Sequence, residues 1–179
     1  MKNRIFSLLL SALVLLASCD SKKNGYDPYS ISGGKGKAEV SKSSFEVPFK
    51  KIESNLKTIH INLNGKNSYD AIFDTGCSGV SISALEAVDL QKSGTLAEKD
   101  HTNDAVITMA DGSQIVQPVF NLREITVVDK NGQEHTLRDI EASIVENLGA
   151  PILIGSSVID NLARNSYTVD LKKRVIRFE

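Results

Sequence analysis

Asp74 stands directly behind apolar Ile72 and Phe73 and is followed at once by Thr75 and Gly76. An unpaired carboxylate in apolar surroundings is costly, or else it holds a proton, so something must be gained at this position. One reading is acid–base chemistry. The other is structural: the carboxylate caps a turn by accepting from backbone N–H groups, with Gly76 supplying a left-handed backbone. Cys77, three residues on, is a second reactive type, but a nucleophilic thiolate needs a neighbouring base or cation and no histidine is near it in sequence. The bland reading makes Cys77 a small packing residue beside the acid. His60, His101 and His135 lack the close spacing of a zinc site and read as surface or strand-edge histidines, so no metal is expected and nothing calls for a cofactor.

The elements that must position Asp74 are strands. Ile59, Ile61 and Leu63 alternate with polar residues before Asn64-Gly65, a strong hairpin signal, and the return strand from Ser68 to Phe73 delivers the chain to the acid. Asp111-Gly112 and Asn131-Gly132 predict two more tight hairpins. Ser83 with Glu86 three residues on resembles a capping box and predicts a short helix to about Leu90; a second short helix is expected in "SSVIDNLAR" after Gly155. Two strands about Lys172-Lys173 close the chain. Many strands and at most two short helices predict an all-β barrel or sandwich.

The first residues are of another kind. Lys2 and Arg4 precede an apolar stretch, Ile5 to Leu16, that is short for a membrane span, and Leu16-Ala17-Ser18-Cys19 follows. The pattern reads as a signal peptide over residues 1–19, and it resembles a bacterial lipobox in which Cys19 is acylated. Residues 20–44 then read as a flexible polar tether and 45–179 as the folded domain. The expected location is the cell envelope, with a lipid anchor in a membrane through Cys19, the membrane side being open. Lipidation of Cys19 leaves Cys77 as a lone thiol, without an intramolecular disulfide. A net charge of -1 over 179 residues offers no electrostatic grip on nucleic acid.

The hairpin into "FDTGCS", the hairpin tip in "TMADGSQ" and the apolar run "ILIG" before a helix come in an order that resembles the retropepsin-like aspartic peptidases, from about Phe45 to Phe178. The resemblance implies an acid-protease barrel with one or two short helices. It implies Asp74 as the catalytic acid, Thr75 as a hydrogen-bonding residue towards the partner loop, and Gly76 as close backbone beside substrate. It also implies that Met109, Ala110, Asp111 and Gly112 form a flap over bound polypeptide, with Met109 and Ile115 as apolar contacts.

Peptide hydrolysis by this route needs one carboxyl ionised to activate water and another protonated to donate. Two acids about 3 Å apart achieve this, because two negative charges that close cannot both persist. The sequence holds one Asp-Thr-Gly and no Asp-Ser-Gly, so a symmetric homodimer with one Asp74 from each copy is expected. The family's acidic residue four positions after the catalytic Asp, and the Arg after the second Gly, are replaced here by Ser78 and Ser156, so either dimer bracing comes from other contacts, for example the closing strands, or the dimer is weak. A thiol at Cys77 donates to a carboxylate less well than a hydroxyl, which places the expected activity at mildly acidic to neutral pH. A catalytically silent envelope module that binds extended peptide in the same groove is the rival reading.

Overall fold

A computed structural model of the chain describes residues 38–179, with only the backbone of Ala38; the expected signal peptide, Cys19 and residues 20–37 lie outside the described residues. Eleven strands and two helices follow in order: β1 (Ala38–Glu39), β2 (Phe45–Lys51), β3 (Lys57–Leu63), β4 (Asn67–Phe73), β5 (Val80–Ser83), α1 (Ala84–Lys92), β6 (His101–Thr108), β7 (Gln114–Val128), β8 (Glu134–Val145), β9 (Leu153–Ile154), α2 (Ser156–Leu162), β10 (Tyr167–Asp170) and β11 (Val175–Phe178). The fold is all-β, as expected.

The alternation before Asn64 is realised. Ile59, Ile61 and Leu63 are buried while His60 is exposed, so β3 sets one face into the core. Asn64 (φ 53) and Gly65 (φ 74) take the left-handed backbone that the Asn-Gly pair favours, and the Lys66 N–H donates to the Leu63 carbonyl at 3.3 Å. The other two hairpins form where expected, by loops of the same three-residue length as the one between Leu63 and Asn67. In each, a turn is followed by a glycine in left-handed backbone: the Gly112 N–H donates to Met109 and the Met109 N–H to Ser113, as Gly132 does to Asp129 and Asp129 to Gln133. An Asp at the loop accepts from nearby N–H groups in both cases, Asp111 from Ser113 and Asp129 from Asn131 and Gln133.

Strand order along the sheet is β10-β11-β2-β3-β4-β9-β5-β8-β7-β6, and β3 also pairs with β7. That extra pairing closes a ring through β3, β4, β9, β5, β8 and β7. β4 takes one edge of β3 along its length, while the other edge is shared: β2 pairs with Lys57 to Ile59 and β7 with Ile61 to Leu63. The ring encloses a core of fully buried Ile59, Ile61, Leu63, Ile82, Leu122, Ile125, Leu137 and Ile154. β11 and β10 continue the sheet outward from β2, so both closing strands pair within their own chain.

The helices stand where the capping signals put them. The Ser83 side chain accepts from the Leu85 N–H, and Glu86 accepts from the Ser83 N–H at 2.9 Å, so the capping box is formed, although α1 runs on to Lys92. α2 occupies Ser156–Leu162 and buries Val158, Ile159 and Leu162. One segment differs from the sequence expectation: Ala38–Glu39, read as tether, pair with Leu137 and Thr136 of β8.

Candidate active site

Asp74 is placed by the end of a short parallel pair. β4 runs beside β9, with Ile72 opposite Leu153 and Phe73 opposite Ile154, and β9 is flanked on its other side by antiparallel β5. Residues 74–79 therefore loop across the end of β9. The Asp74 N–H donates to the Ile154 carbonyl at 3.0 Å, which fixes the backbone from which the carboxylate projects.

The loop is clamped from the start of α2. The first N–H groups of a helix have no intrahelical partner, and here they find carbonyls of the acid loop: Gly155 donates to Gly79 at 3.0 Å, Ser156 to Cys77 at 2.9 Å and Ser157 to Ser78 at 2.9 Å. Gly155 itself has φ -99, an ordinary value, so no left-handed backbone demands glycine there. Space does: a Cβ at 155 would stand 2.3 Å from the carbonyl oxygens of both Cys77 and Gly79. This is the physical content of the final glycine in "ILIG".

The carboxylate is half-buried, and Thr75, Gly76 and Ser78 are exposed. The enclosure that Ile72 and Phe73 suggest is thus incomplete in a single copy. Asp74 Oδ1 accepts from the Gly76 N–H at 2.9 Å, a turn-capping bond. Gly76 is not among the glycines in left-handed backbone, so turn geometry does not demand glycine there. A Cβ at Gly76 would instead lie 3.3 Å from Asp74 Oδ1, crowding the acid.

Cys77 turns its thiol away from chemistry. Sγ donates to the Gly79 carbonyl at 3.3 Å, and burial raises its pKa, with the charge of Asp74 adding to the rise. All three histidines face other acids: His60 Nδ1 lies 3.2 Å from Asp70, His101 Nε2 lies 3.0 Å from Asp104 and His135 Nε2 lies 3.5 Å from Asp129. A thiolate nucleophile therefore has no base. His60 and His101 are exposed as expected, but His135 is completely buried, contrary to its reading as a surface or strand-edge residue.

Met109, Ala110, Asp111 and Gly112 form the tip of the β6–β7 hairpin, all exposed. Met109 and Ile115 are 45% and 38% exposed, a large apolar surface to leave in water on one hairpin. Among the described residues, no hydrogen bond or ion pair joins this tip to residues 74–79. The structure brings Asp74, Cys77 and Gly155 together and leaves the hairpin tip as a separate projection. The backbone roles of Ser156, Ser157 and the Gly79 carbonyl escape a reading of side-chain types; the apolar-apolar-Gly signal is their only trace in the sequence.

The family model for aspartyl proteases matches residues 59–158, which runs from β3 to α2 and takes in the acid loop and its clamp. The chain belongs to the aspartyl protease family. Among solved structures, it is similar to a retropepsin-like aspartic protease from Rickettsia conorii, with 18% identity, a TM-score of 0.51, and 80% of this chain and 96% of that one covered. The shared fold is retropepsin-like. Basic 7S globulin from soybean aligns at 12% identity with a TM-score of 0.42, over 89% of this chain and 45% of that one. No curated protein sequence matches the chain. Within the ring of strands, Asp74 lies on the loop that β9 and α2 hold in place.

Proposed function

We propose that the chain is an aspartic endopeptidase that works as a homodimer, each copy contributing Asp74. The observation that carries this is the half-buried carboxylate on a loop whose Thr75, Gly76 and Ser78 are exposed, while its backbone is held by Ile154 and by the start of α2. The Gly76 N–H caps the turn at Asp74 Oδ1 without covering the crest, so the rigid loop stays open to a partner's approach.

In the assembled site the ionised Asp74 takes a proton from water, and the oxygen attacks the carbonyl carbon of the scissile peptide. The protonated Asp74 of the other copy donates to the carbonyl oxygen. Collapse of the tetrahedral intermediate breaks the C–N bond as a carboxyl proton passes to the leaving nitrogen. The substrate is polypeptide in extended form, because strand-like ligands bond through their main chain and fill pockets with alternate residues. Met109 to Gly112, with Ile115, cover it as a flap. Ser78 and Ser156 carry no charge with which to brace two copies, so the sheet of β2, β11 and β10 takes that part. Cys19 anchors the enzyme by lipid in the cell envelope, with residues 20–37 as the reach of the tether.

The test is cleavage of an unstructured protein by wild type and by Asp74→Asn. The variant should show no turnover with an unchanged thermal midpoint, and specific activity of wild type should fall on dilution as dimers dissociate. Unchanged turnover by Asp74→Asn removes the assignment.

A further inference from the structure

The mechanism makes no use of His135, yet this imidazole has no exposed surface. It lies on β8 beside the β7–β8 turn. Its Nδ1 accepts from the Ser41 N–H at 3.2 Å. A nitrogen that accepts carries no proton, so the neutral ring holds its hydrogen on Nε2, which faces Asp129 Oδ2 at 3.5 Å. The Phe45 ring stacks on the imidazole with centroids 3.6 Å apart and planes 12° from parallel, and Phe178 stacks on Phe45 in turn. The site is closed on all of these sides.

Ser41 belongs to a strap, residues 38–43, that leads into β2. The strap is held at several points: β1 pairs with Leu137 and Thr136, Glu39 Oε2 lies 3.5 Å from Arg138 Nη2, Val40 packs on the core, the Ser41 N–H meets His135, and the Lys42 carbonyl accepts from Arg164 Nη1 at 2.9 Å. The hold at His135 is the one that a proton gained near pH 6.5 removes.

We infer that His135 is a pH-sensitive latch that keeps the strap docked while its ring is neutral. Protonation puts a second N–H on Nδ1, opposite the N–H of Ser41, so two donors face each other and the acceptor is gone. The imidazolium then needs a new acceptor at Nδ1, and water reaches that atom only when the strap lifts. Residues 38–43 released in this way lengthen the span before Phe45 by about 20 Å at ~3.3 Å per residue.

The charged groups on the packed elements are few. Asp129 comes from the turn; burial works against its charge, but the Gln133 and Asn131 N–H groups outweigh this and hold its pKa below the ordinary value. Glu46 of β2 faces Lys130 and Arg177, and Glu39 of β1 faces Arg138. Lys42 on the strap and Glu134 on β8 are exposed. Asp129 is the one that acts on the ring, favouring protonation, and burial outweighs it, so the His135 pKa lies below its usual 6.5. The sign follows: docking is complete above about pH 6.5, where the released ring is neutral, and weakens as pH falls towards the depressed value of the docked ring.

Two measurements on the full-length protein test this. Imidazole 15N shifts at pH 7.5 should show His135 as the Nε2–H tautomer, and hydrogen exchange of the strap amides, corrected for intrinsic rate, should report opening that rises by about tenfold per pH unit below pH 6.5. His135→Asn, whose amide oxygen can accept from Ser41 without titrating, should hold strap protection level across the same range. An Nδ1–H tautomer, or strap opening in wild type that does not change between pH 7.5 and 5, overturns the latch even if the variant fails to fold.

Discussion

The carbonyl oxygen of Cys77 lies where a side chain on Gly155 would have to begin, with only 2.3 Å between it and a Cβ built there. The two residues are far apart in sequence, and their contact joins the acid loop to the start of α2. Because the neighbours are backbone atoms of a clamped loop, neither can step aside cheaply.

Gly155→Ala should therefore destabilise the fold by about 3 kcal/mol, as overpacking of a tight site does, and should displace Asp74 enough to abolish cleavage. Gly149→Ala is the control, since its Cβ would meet nothing closer than Asn147 Oδ1 at 3.6 Å. Urea unfolding of the two variants, with peptide cleavage alongside, reads both effects. Equal stability of the two would show that the loop yields.

Cys77 should be a slow thiol. Burial and the Asp74 charge raise its pKa, so alkylation by iodoacetamide at pH 7 should be slower than that of an unstructured cysteine. Asp74→Asn should speed the reaction by removing one cause. Rapid modification at pH 7 would revive the thiolate that the geometry argues against.

Glu46 is nearly buried between Lys130 and Arg177, at 2.5 and 2.6 Å, and the Lys130 bond, followed by that of Arg177, lowers its pKa from 4.5 to about 2. A depressed carboxylate stabilises the fold above its unfolded value and loses that contribution as pH falls from 4.5 towards 2. Glu46→Gln should thus be less stable than wild type at pH 7, with the difference shrinking below pH 4 and nearly gone at pH 2. Urea midpoints at pH 7, 4 and 2.5 check the trend; a gap that does not narrow would assign the effect to packing.

Met109 and Ile115 expose large apolar surfaces on a hairpin that leaves the core. If they cover substrate, Met109→Ala with Ile115→Ala should raise KM about tenfold while kcat and the thermal midpoint stay unchanged, the pattern expected when binding common to ground and transition states is removed. Steady-state kinetics and a melting curve separate this from a folding defect, which would move the midpoint.

The parts of this fold that were legible in the sequence are those decided within a few residues. Ile59, Ile61 and Leu63 announce a half-buried strand, Asn64-Gly65 a turn that needs left-handed backbone, and Ser83 with Glu86 a helix start, because each signal and its structural cause are neighbours. Asp74 could be singled out for the same reason. Its clamp could not, since the Ser156 and Ser157 amides are features every residue owns. Nor could the burial of His135, which depends on Phe45, Ser41 and Asp129 converging from three segments. Ala38 and Glu39 looked like tether because two residues carry too little pattern to outvote a polar stretch.

β3 has more partners than any strand's two edges would suggest, because β2 and β7 divide one of them. It is a hinge-pin between the closed ring and the outlying strands that end in Phe178. Neither part can melt and leave the other intact, so damage at Ile59 or Ile61 should spread to the whole molecule as one cooperative collapse.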